Sequence, residues 1–301
     1  MIKAAILTKT FFMAGAALAG GIAAAQPSSS LPNNPIWTQV VPPFRIADGL
    51  YYVGSRDIGV YLVDGGRAGL ILIDAGMPEF APQVLKNVRT LGFDPAKIRI
   101  LLNSQAHVDH AGGLAAIKAA TGARLMASKA DAPLLEAGGK GDFFFGDEVT
   151  FPAAKVDSLV RDGQAVTLGR ATLTAHLTPG HSKGCTTWTM PVSISGRTHV
   201  AQFNCSMTIP GYTLLGNPHY PNIVEDYRAS FDKLRRVPCD VFLASHGSFF
   251  DLDGKRAKLT AGRSKNPFID PEGCRRYLDV TEKRFQDQLA REQAGAGVVH
   301  K

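Results

Sequence analysis

The stretch LLNSQAHVDHAGG, residues 101–113, holds a compact group of side chains that bind metals, and the rest of the chain is best understood from it. His107, Asp109 and His110 lie close together, and neutral imidazole and carboxylate are both good zinc ligands. Because neighbouring side chains of an extended or looping segment point in different directions, this stretch can supply two metal positions. His107 would serve one position, and Asp109 with His110 the other. The alternative is a polar loop in which Asp109 caps the next helix and the histidines face solvent.

The sequence around this stretch places it at the end of a strand. IRILLNS (98–104) is an apolar run that predicts a buried strand, and GGLAAIKAATGA (112–123) predicts a helix. A strand that enters a helix through a loop puts residues 105–110 at the carboxyl end of the strand, where sites in α/β proteins are common.

Two histidines later in the chain have the same setting. His181 follows an apolar run in TPGHSKG (178–184), and His246 follows another in FLASHGS (242–248). Three strand-end histidine loops in one α/β chain favour a shared metal site over chance. The remaining histidines lack this setting and are interpreted as structural or surface residues: His176, His199, His219 and His300.

Short apolar runs separated by turns predict a layered α/β domain made of two similar halves. Strands are predicted at 50–56, 58–66, 68–76, 171–179, 185–190, 198–204 and 239–245, and helices at 79–93, 225–237 and 274–294. No linker divides residues 26–301, which are expected to form a single domain. The glycine-rich, aromatic segment at 138–157 has no clear period. It either covers a site or is a loop that Phe143–Phe145 anchor to the core.

Residues 1–25 have the features of a secretory signal peptide. Lys3 and Lys9 supply positive charge, and an uncharged run rich in alanine and glycine ends in small residues at Ala25, which makes Gln26 the new N-terminus. The alternative is a short membrane anchor, but the run is shorter than the ~20 apolar residues that a span requires. The mature chain is therefore expected to be soluble and exported to the periplasm.

The net charge of the chain is +7, and removal of the two lysines of the signal peptide leaves +5. The basic residues are spread along the sequence and are not grouped with aromatic residues. This distribution is typical of a solvated basic surface and argues against nucleic acid as a partner.

The four cysteines are Cys185, Cys205, Cys239 and Cys274. An even number of cysteines in an exported chain favours disulfides, and four cysteines permit three pairings. None of them forms a C-x-x-C pair, which argues against a zinc knuckle or a thioredoxin-like motif.

Apart from its first position, Q-A-H-V-D-H resembles the H-x-H-x-D-H motif of the metallo-β-lactamase superfamily. TPGHS and SHG resemble the third and fourth ligand segments of that superfamily, in the same order. The resemblance covers nearly all of the mature chain and implies a four-layer αβ/βα sandwich with a zinc site at one edge, between the halves. Within the superfamily, TIPGY with the preceding Cys205-Ser206-Met207, and PCDVFLASHG followed by Cys274, resemble subclass B3 enzymes.

The resemblance implies two zinc positions. The first is formed by Gln105, His107 and His181, and the second by Asp109, His110 and His246. Gln105 departs from the usual histidine, although some B3 enzymes carry glutamine there. A neutral amide oxygen binds zinc more weakly than imidazole does, so we expect a weaker first position and a one-zinc enzyme at low zinc.

The implied activity is hydrolysis of the β-lactam amide bond by a zinc-bound hydroxide, with a small-molecule β-lactam as substrate and a monomer as the functional unit. Asp109 would also orient the nucleophile. Ser206 and Thr208 would hold the substrate carboxylate, and Tyr212 would steady the oxyanion. The alternative for the last three is a loop residue that hydrogen-bonds to backbone. The B3 resemblance further implies a Cys239–Cys274 disulfide, whereas Cys185 and Cys205 form either a second disulfide or two buried free thiols.

Other functions share this motif. Glyoxalase II-like thioesterases, lactonases and RNA-processing nucleases resemble the chain in their ligand segments, but their usual bridging aspartate has no counterpart in VAQFNCSM (200–207). A non-catalytic zinc-binding protein is a further alternative, which Gln105 keeps open.

Overall fold

The computed structural model describes residues 34–262 and 265–298, with side chains to residue 295. The predicted signal peptide, residues 1–25, its cleavage point before Gln26, and His300 lie outside these ranges. Within the described part of the chain, no helix combines the length and apolar character needed to cross a bilayer.

Seven strands of the first half form one sheet in chain order. The strands are β1 (Phe44–Ala47), β2 (Leu50–Tyr52), β3 (Tyr61–Asp64), β4 (Leu70–Ile73), β5 (Ile98–Leu102), β6 (Arg124–Ser128) and β7 (Ser158–Val160). Strands β1 to β4 are antiparallel neighbours, and β4 to β7 are parallel.

Five strands of the second half form another sheet, in the order β12-β11-β10-β9-β8. They are β8 (Ala165–Leu168), β9 (Ala171–Leu177), β10 (Thr186–Ile194), β11 (Arg197–Asn204) and β12 (Val241–Ala244). Only β11 and β12 pair in parallel among these described strands.

Seven α-helices occur in the described residues. They are α1 (Ala81–Thr90), α2 (Val108–Ala111), α3 (Leu114–Thr121), α4 (Ala132–Glu136), α5 (Ile223–Leu234), α6 (Leu252–Thr260) and α7 (Pro271–Val298). Apolar residues recur at helical spacing in α1, where Val84 and Val88 are buried and the intervening Lys86 is exposed.

The central strands β3 and β4 of the first sheet are apolar on both faces, because each face is covered by a different layer. Leu62, Leu72 and Leu101 pack with α1 and α3 on the outer face. Their strand neighbours, such as Tyr61 and Ile73, face the second sheet and share its core. That core continues outward to α5 and α7. The four-layer αβ/βα sandwich expected from the sequence is confirmed.

Two disulfides fasten the second half. Cys239 and Cys274 join the segment before β12 to the first turn of α7. Cys185 and Cys205 join the residue before β10 to the residue after β11. The first disulfide confirms the pairing that the resemblance implies, and the second settles the alternative between a disulfide and free thiols.

Candidate metal centre

All of the predicted ligand segments lie just beyond strands, between the two sheets. Gln105 and His107 follow β5, and Asp109 and His110 lie in the short helix α2. His181 lies between β9 and β10, and His246 follows β12. The six side chains are buried or nearly so.

The second predicted position is a convergence of three donor atoms. Asp109 Oδ2 lies 3.1 Å from Nε2 of His110 and 3.3 Å from Nε2 of His246, and the two ring nitrogens are 3.3 Å apart. One donor atom from each side chain lies within 4.8 Å of the others. Two imidazoles and a carboxylate that meet at one point form a donor set suited to zinc. The residues present therefore fit a metal ion here.

Asp57 fixes the orientation of His246. Its Oδ2 lies 2.9 Å from His246 Nδ1, and its Oδ1 accepts the Ser248 N–H at 2.8 Å. Burial opposes ionisation of Asp57, but the hydrogen bond and charge of His246 bring the pKa of Asp57 down to about 2. An ionised carboxylate at Nδ1 keeps a proton on that nitrogen, which leaves Nε2 as the atom of His246 that can bind a metal.

Asp74 plays a comparable part beside His110. It accepts hydrogen bonds from the backbone N–H and the hydroxyl of Ser104, at 2.7 and 2.5 Å, and lies 3.9 Å from Nδ1 of His110. Burial raises the pKa of Asp74 to about 6. The residue has a φ of 60°, which is rare for a residue other than glycine and is found where the surrounding structure imposes it.

The first predicted position brings His107 and His181 together, with ring centroids 4.9 Å apart. His181 Nδ1 donates to the carbonyl oxygen of Thr208 at 2.9 Å, which leaves Nε2 for a ligand. Gln105 is fully buried, and its amide nitrogen has no hydrogen-bond partner among the described residues. The predicted ligand atom is the amide oxygen, which lies 3.9 Å from Cys205 Sγ, and the ligand role of Gln105 stays a prediction.

Asp131 joins the two loops of the first position. Its Oδ2 accepts the Ala106 N–H at 3.0 Å and the Ser182 hydroxyl at 2.9 Å, and its Oδ1 accepts the Gly184 N–H at 2.8 Å. A Cβ at Gly184 would lie 2.0 Å from the Ser128 hydroxyl oxygen, so only glycine permits this approach. The carboxylate thereby sets the distance between the segments that carry His107 and His181.

The three predicted substrate residues differ in their surroundings. Thr208 borders the cleft in front of the histidines, and its hydroxyl lies 3.0 Å from the buried Ser206 hydroxyl. Tyr212 is 1% exposed, and its hydroxyl donates to the carbonyl oxygen of His181 at 2.9 Å. This is the contact to backbone that the sequence leaves open as the alternative role of Tyr212. The substrate roles of all three stay predictions.

A cleft of about 310 Å³ opens onto both positions, bordered by His107, Asp109, His181 and His246. Its remaining wall is mainly apolar and includes Trp37, Val108, Phe144, Phe145, Val149 and Phe151. The two interpretations of the 138–157 segment both hold, for different residues. Phe144 and Phe145 border the cleft, whereas Phe143 packs on Tyr212 and Tyr220.

The sequence analysis did not identify the carboxylates that hold the ligand loops: Asp57, Asp74, Asp131 and Asp142. Asp74 could have been identified from the sequence, because it directly follows the buried strand β4, just as the ligand segments follow other buried strands. The others lie in segments without a periodic pattern, and their partners are distant in the sequence.

Comparison with known proteins connects this arrangement to one family. The family model described as "Metallo-beta-lactamase superfamily" matches residues 56–246. Among solved structures, the chain is similar to FEZ-1 metallo-β-lactamase from Legionella gormanii, with 40% identity, a TM-score of 0.83, and coverage of 85% of this chain and 98% of that one. BJP-1, a subclass B3 metallo-β-lactamase of Bradyrhizobium japonicum, is 42% identical with a TM-score of 0.81, over 87% and 98% of the chains.

Two curated relatives match shorter parts. A probable metallo-hydrolase of Burkholderia pseudomallei is 26% identical over 47% of this chain and 50% of its own length. A hydroxyacylglutathione hydrolase of Rhodospirillum rubrum is 33% identical over 36% of this chain and 34% of its own. The chain therefore spans half or less of the curated relatives that it matches.

Proposed function

Because this chain belongs to the metallo-β-lactamase superfamily, we propose that it is a zinc-dependent β-lactamase that hydrolyses the amide bond of penicillins, cephalosporins and carbapenems. The observation that carries the proposal is the convergence of Asp109, His110 and His246 at the base of an apolar cleft. Support comes from the similarity to structures named as metallo-β-lactamases, which covers 85% and 87% of this chain.

In this proposal, Asp109, His110 and His246 hold one zinc, and Gln105, His107 and His181 hold another. Zinc supplies Lewis-acid chemistry: it polarises a carbonyl group and lowers the pKa of water to about 7. The chain supplies the rest. Asp57 and Asp74 hold His246 and His110 in position before substrate arrives. The apolar walls exclude bulk water from the cleft.

Asp109 has a second task in this scheme. Burial opposes its ionisation, but contacts with His110 and His246 hold the pKa of Asp109 well below its usual range. An ionised carboxylate accepts hydrogen bonds, so Asp109 orients the attacking water for its approach to the lactam carbonyl. The Thr208 hydroxyl at the cleft binds the substrate carboxylate, and Ser206 behind it holds that hydroxyl in place.

We propose further that the protein acts in the periplasm as a monomer, after removal of residues 1–25. The leader with Lys3 and Lys9 supports export. The two disulfides suit an oxidising compartment.

Hydrolysis of nitrocefin by the purified protein tests the proposal. We expect turnover that a chelator abolishes and that added zinc restores. A thioester and a lactone assayed in parallel distinguish a β-lactamase from the thioesterase that the Rhodospirillum similarity suggests. Zinc-dependent cleavage of the thioester without cleavage of any β-lactam would assign the other activity, and bound zinc without any turnover would indicate a binding protein.

Gln105→His is expected to tighten zinc binding at the first position and leave the second unchanged. The substitution replaces a neutral amide with an imidazole, which binds zinc more strongly, at one of the three ligands of the first position. Zinc titration of both proteins, with stoichiometry from native mass spectrometry, measures the change. Equal affinities for the first-position zinc in the two proteins would contradict the assignment of Gln105 as a ligand.

A further inference from the structure

Asp142 lies in the loop between α4 and β7, and its carboxylate is held by that loop. One oxygen, Oδ1, accepts the backbone N–H groups of Phe144 and Phe145, each at 2.8 Å. The backbone of Asp142 also pairs with Gly146 in both directions, at 3.1 and 3.0 Å. Asp142 therefore has a fixed position, and its second oxygen is free to contact another group.

That second oxygen faces a predicted metal ligand. Asp142 Oδ2 lies 3.6 Å from Nε2 of His107, and the two side chains are 4% and 8% exposed. The distance is within the range of an ion pair and slightly longer than a hydrogen bond. His107 Nε2 has no hydrogen-bond partner among the described residues, and the Asp142 carboxylate is the acceptor that faces it.

The other ligand histidines provide a comparison. His246 is held at Nδ1 by Asp57, and His181 at Nδ1 by the carbonyl oxygen of Thr208, so each presents Nε2. Asp142 approaches His107 at Nε2 instead, which leaves Nδ1 as the nitrogen that can bind a metal. A histidine that binds metal usually donates its other N–H to such an acceptor, and this fixes the tautomer and raises the basicity of the ligand.

We infer that Asp142 is a positioning residue for the first metal position: it accepts the Nε2–H of His107 and so directs the Nδ1 lone pair to the metal. The inference rests on the proposed function, because it assumes that His107 binds zinc. Since Gln105 is a weak donor, the first position depends strongly on His107. Asp142 also connects metal affinity to the aromatic loop, because the same carboxylate fixes Phe144 and Phe145 at the cleft.

Two substitutions separate the carboxylate charge from the loop contacts. Asp142→Asn keeps an oxygen for the N–H groups of Phe144 and Phe145 but loses the anionic acceptor for His107. Asp142→Ala removes both. Glu148→Gln is the matched control, because Glu148 is an exposed carboxylate of the same loop. Zinc titration of the folded proteins gives the affinity of each position, and NMR of the imidazole nitrogens reports which nitrogen of His107 carries the proton.

We expect Asp142→Asn and Asp142→Ala to weaken binding of the first-position zinc by about 10–100-fold, without a change at the second position or in Glu148→Gln. In the zinc-loaded wild type, Nε2 of His107 should carry the proton, and its resonance should shift in Asp142→Asn. A wild type that takes up only one zinc even at saturating zinc, or variants that bind two zincs with unchanged affinity, would overturn the inference while the proposed function stands. A wild type that binds no zinc would overturn both.

Discussion

Asp109→Ala is expected to lower kcat/KM for a β-lactam by about a thousand-fold or more. Lewis-acid activation by zinc contributes several kcal/mol to such reactions, and each 1.36 kcal/mol corresponds to a factor of ten in rate. Asp109 contributes the only carboxylate oxygen of the converging group. Without it, His110 and His246 alone hold the second zinc, and the attacking water loses its acceptor.

Steady-state kinetics together with zinc stoichiometry test this prediction. Circular dichroism should show that Asp109→Ala is folded, and zinc binding should fall at the second position only. Asp48→Ala is a suitable control, because Asp48 is an exposed carboxylate on the turn between β1 and β2. Wild-type turnover in Asp109→Ala would show that the chemistry does not take place at this position.

Asp270→Asn is expected to lower the free energy of unfolding by about 3 kcal/mol or more, because it leaves a buried charge without a partner. The Asp270 carboxylate lies 3.0 Å from the ammonium group of Lys255, which is 3% exposed. That ammonium group also lies over three rings, those of Phe242, Phe250 and Phe268, at 5.5 to 5.9 Å. Asparagine can still accept the Gly273 N–H at the start of α7, so the helix cap is preserved.

Urea denaturation of a double-mutant cycle measures this effect. Lys255→Met replaces the ammonium group with an apolar group, and we expect it to restore most of the stability when combined with Asp270→Asn. The single Lys255→Met variant should be close to the wild type, because Asp270 retains contact with solvent. If the double variant is as unstable as Asp270→Asn, the lost stability comes from the helix cap and not from the ion pair.

The same pair predicts a pH dependence. Burial opposes ionisation of Asp270, but Lys255 outweighs it and lowers the pKa of that carboxyl below its usual range. A lowered carboxyl pKa stabilises the folded state above the pKa of the unfolded chain, about 3.9, and this stability is lost as the pH falls through the lower, folded value. Unfolding measured from pH 5 to pH 2 should therefore depend less on pH in Asp270→Asn than in the wild type.

Much of the fold follows from patterns that are local in the sequence. The helical spacing in α1 and α5, and the apolar runs of β4, β5 and β12, predict these elements because each pattern extends over several residues. Four strands were not predicted: β1, β6, β7 and β8. Arg124–Ser128 lacks the β-branched residues that mark a strand, and Ser158–Val160 is too short for a pattern to develop.

The candidate site shows the same division. His107, His181 and His246 were identified because each follows an apolar run, which is a local signal. The acceptors that orient them could not be identified in this way. Asp57 is 189 residues from His246, and whether Tyr212 faces substrate or backbone depends on the packing of the loop against α7. Contacts of this kind exist only in the assembled tertiary structure.

The pairing of residues 55–59 with residues 244–247 has a consequence for the order of events during folding. The Gly59 N–H donates to the carbonyl oxygen of Ser245, and the Gly247 N–H donates to the carbonyl oxygen of Asp57. The side chain of Asp57 contacts that of His246, which lies 189 positions further along the chain. Closing so long a loop is entropically costly, and contacts of high sequence separation form slowly. A growing polypeptide thus has no complete cation-binding pocket until both halves have docked, and metal capture would report that docking.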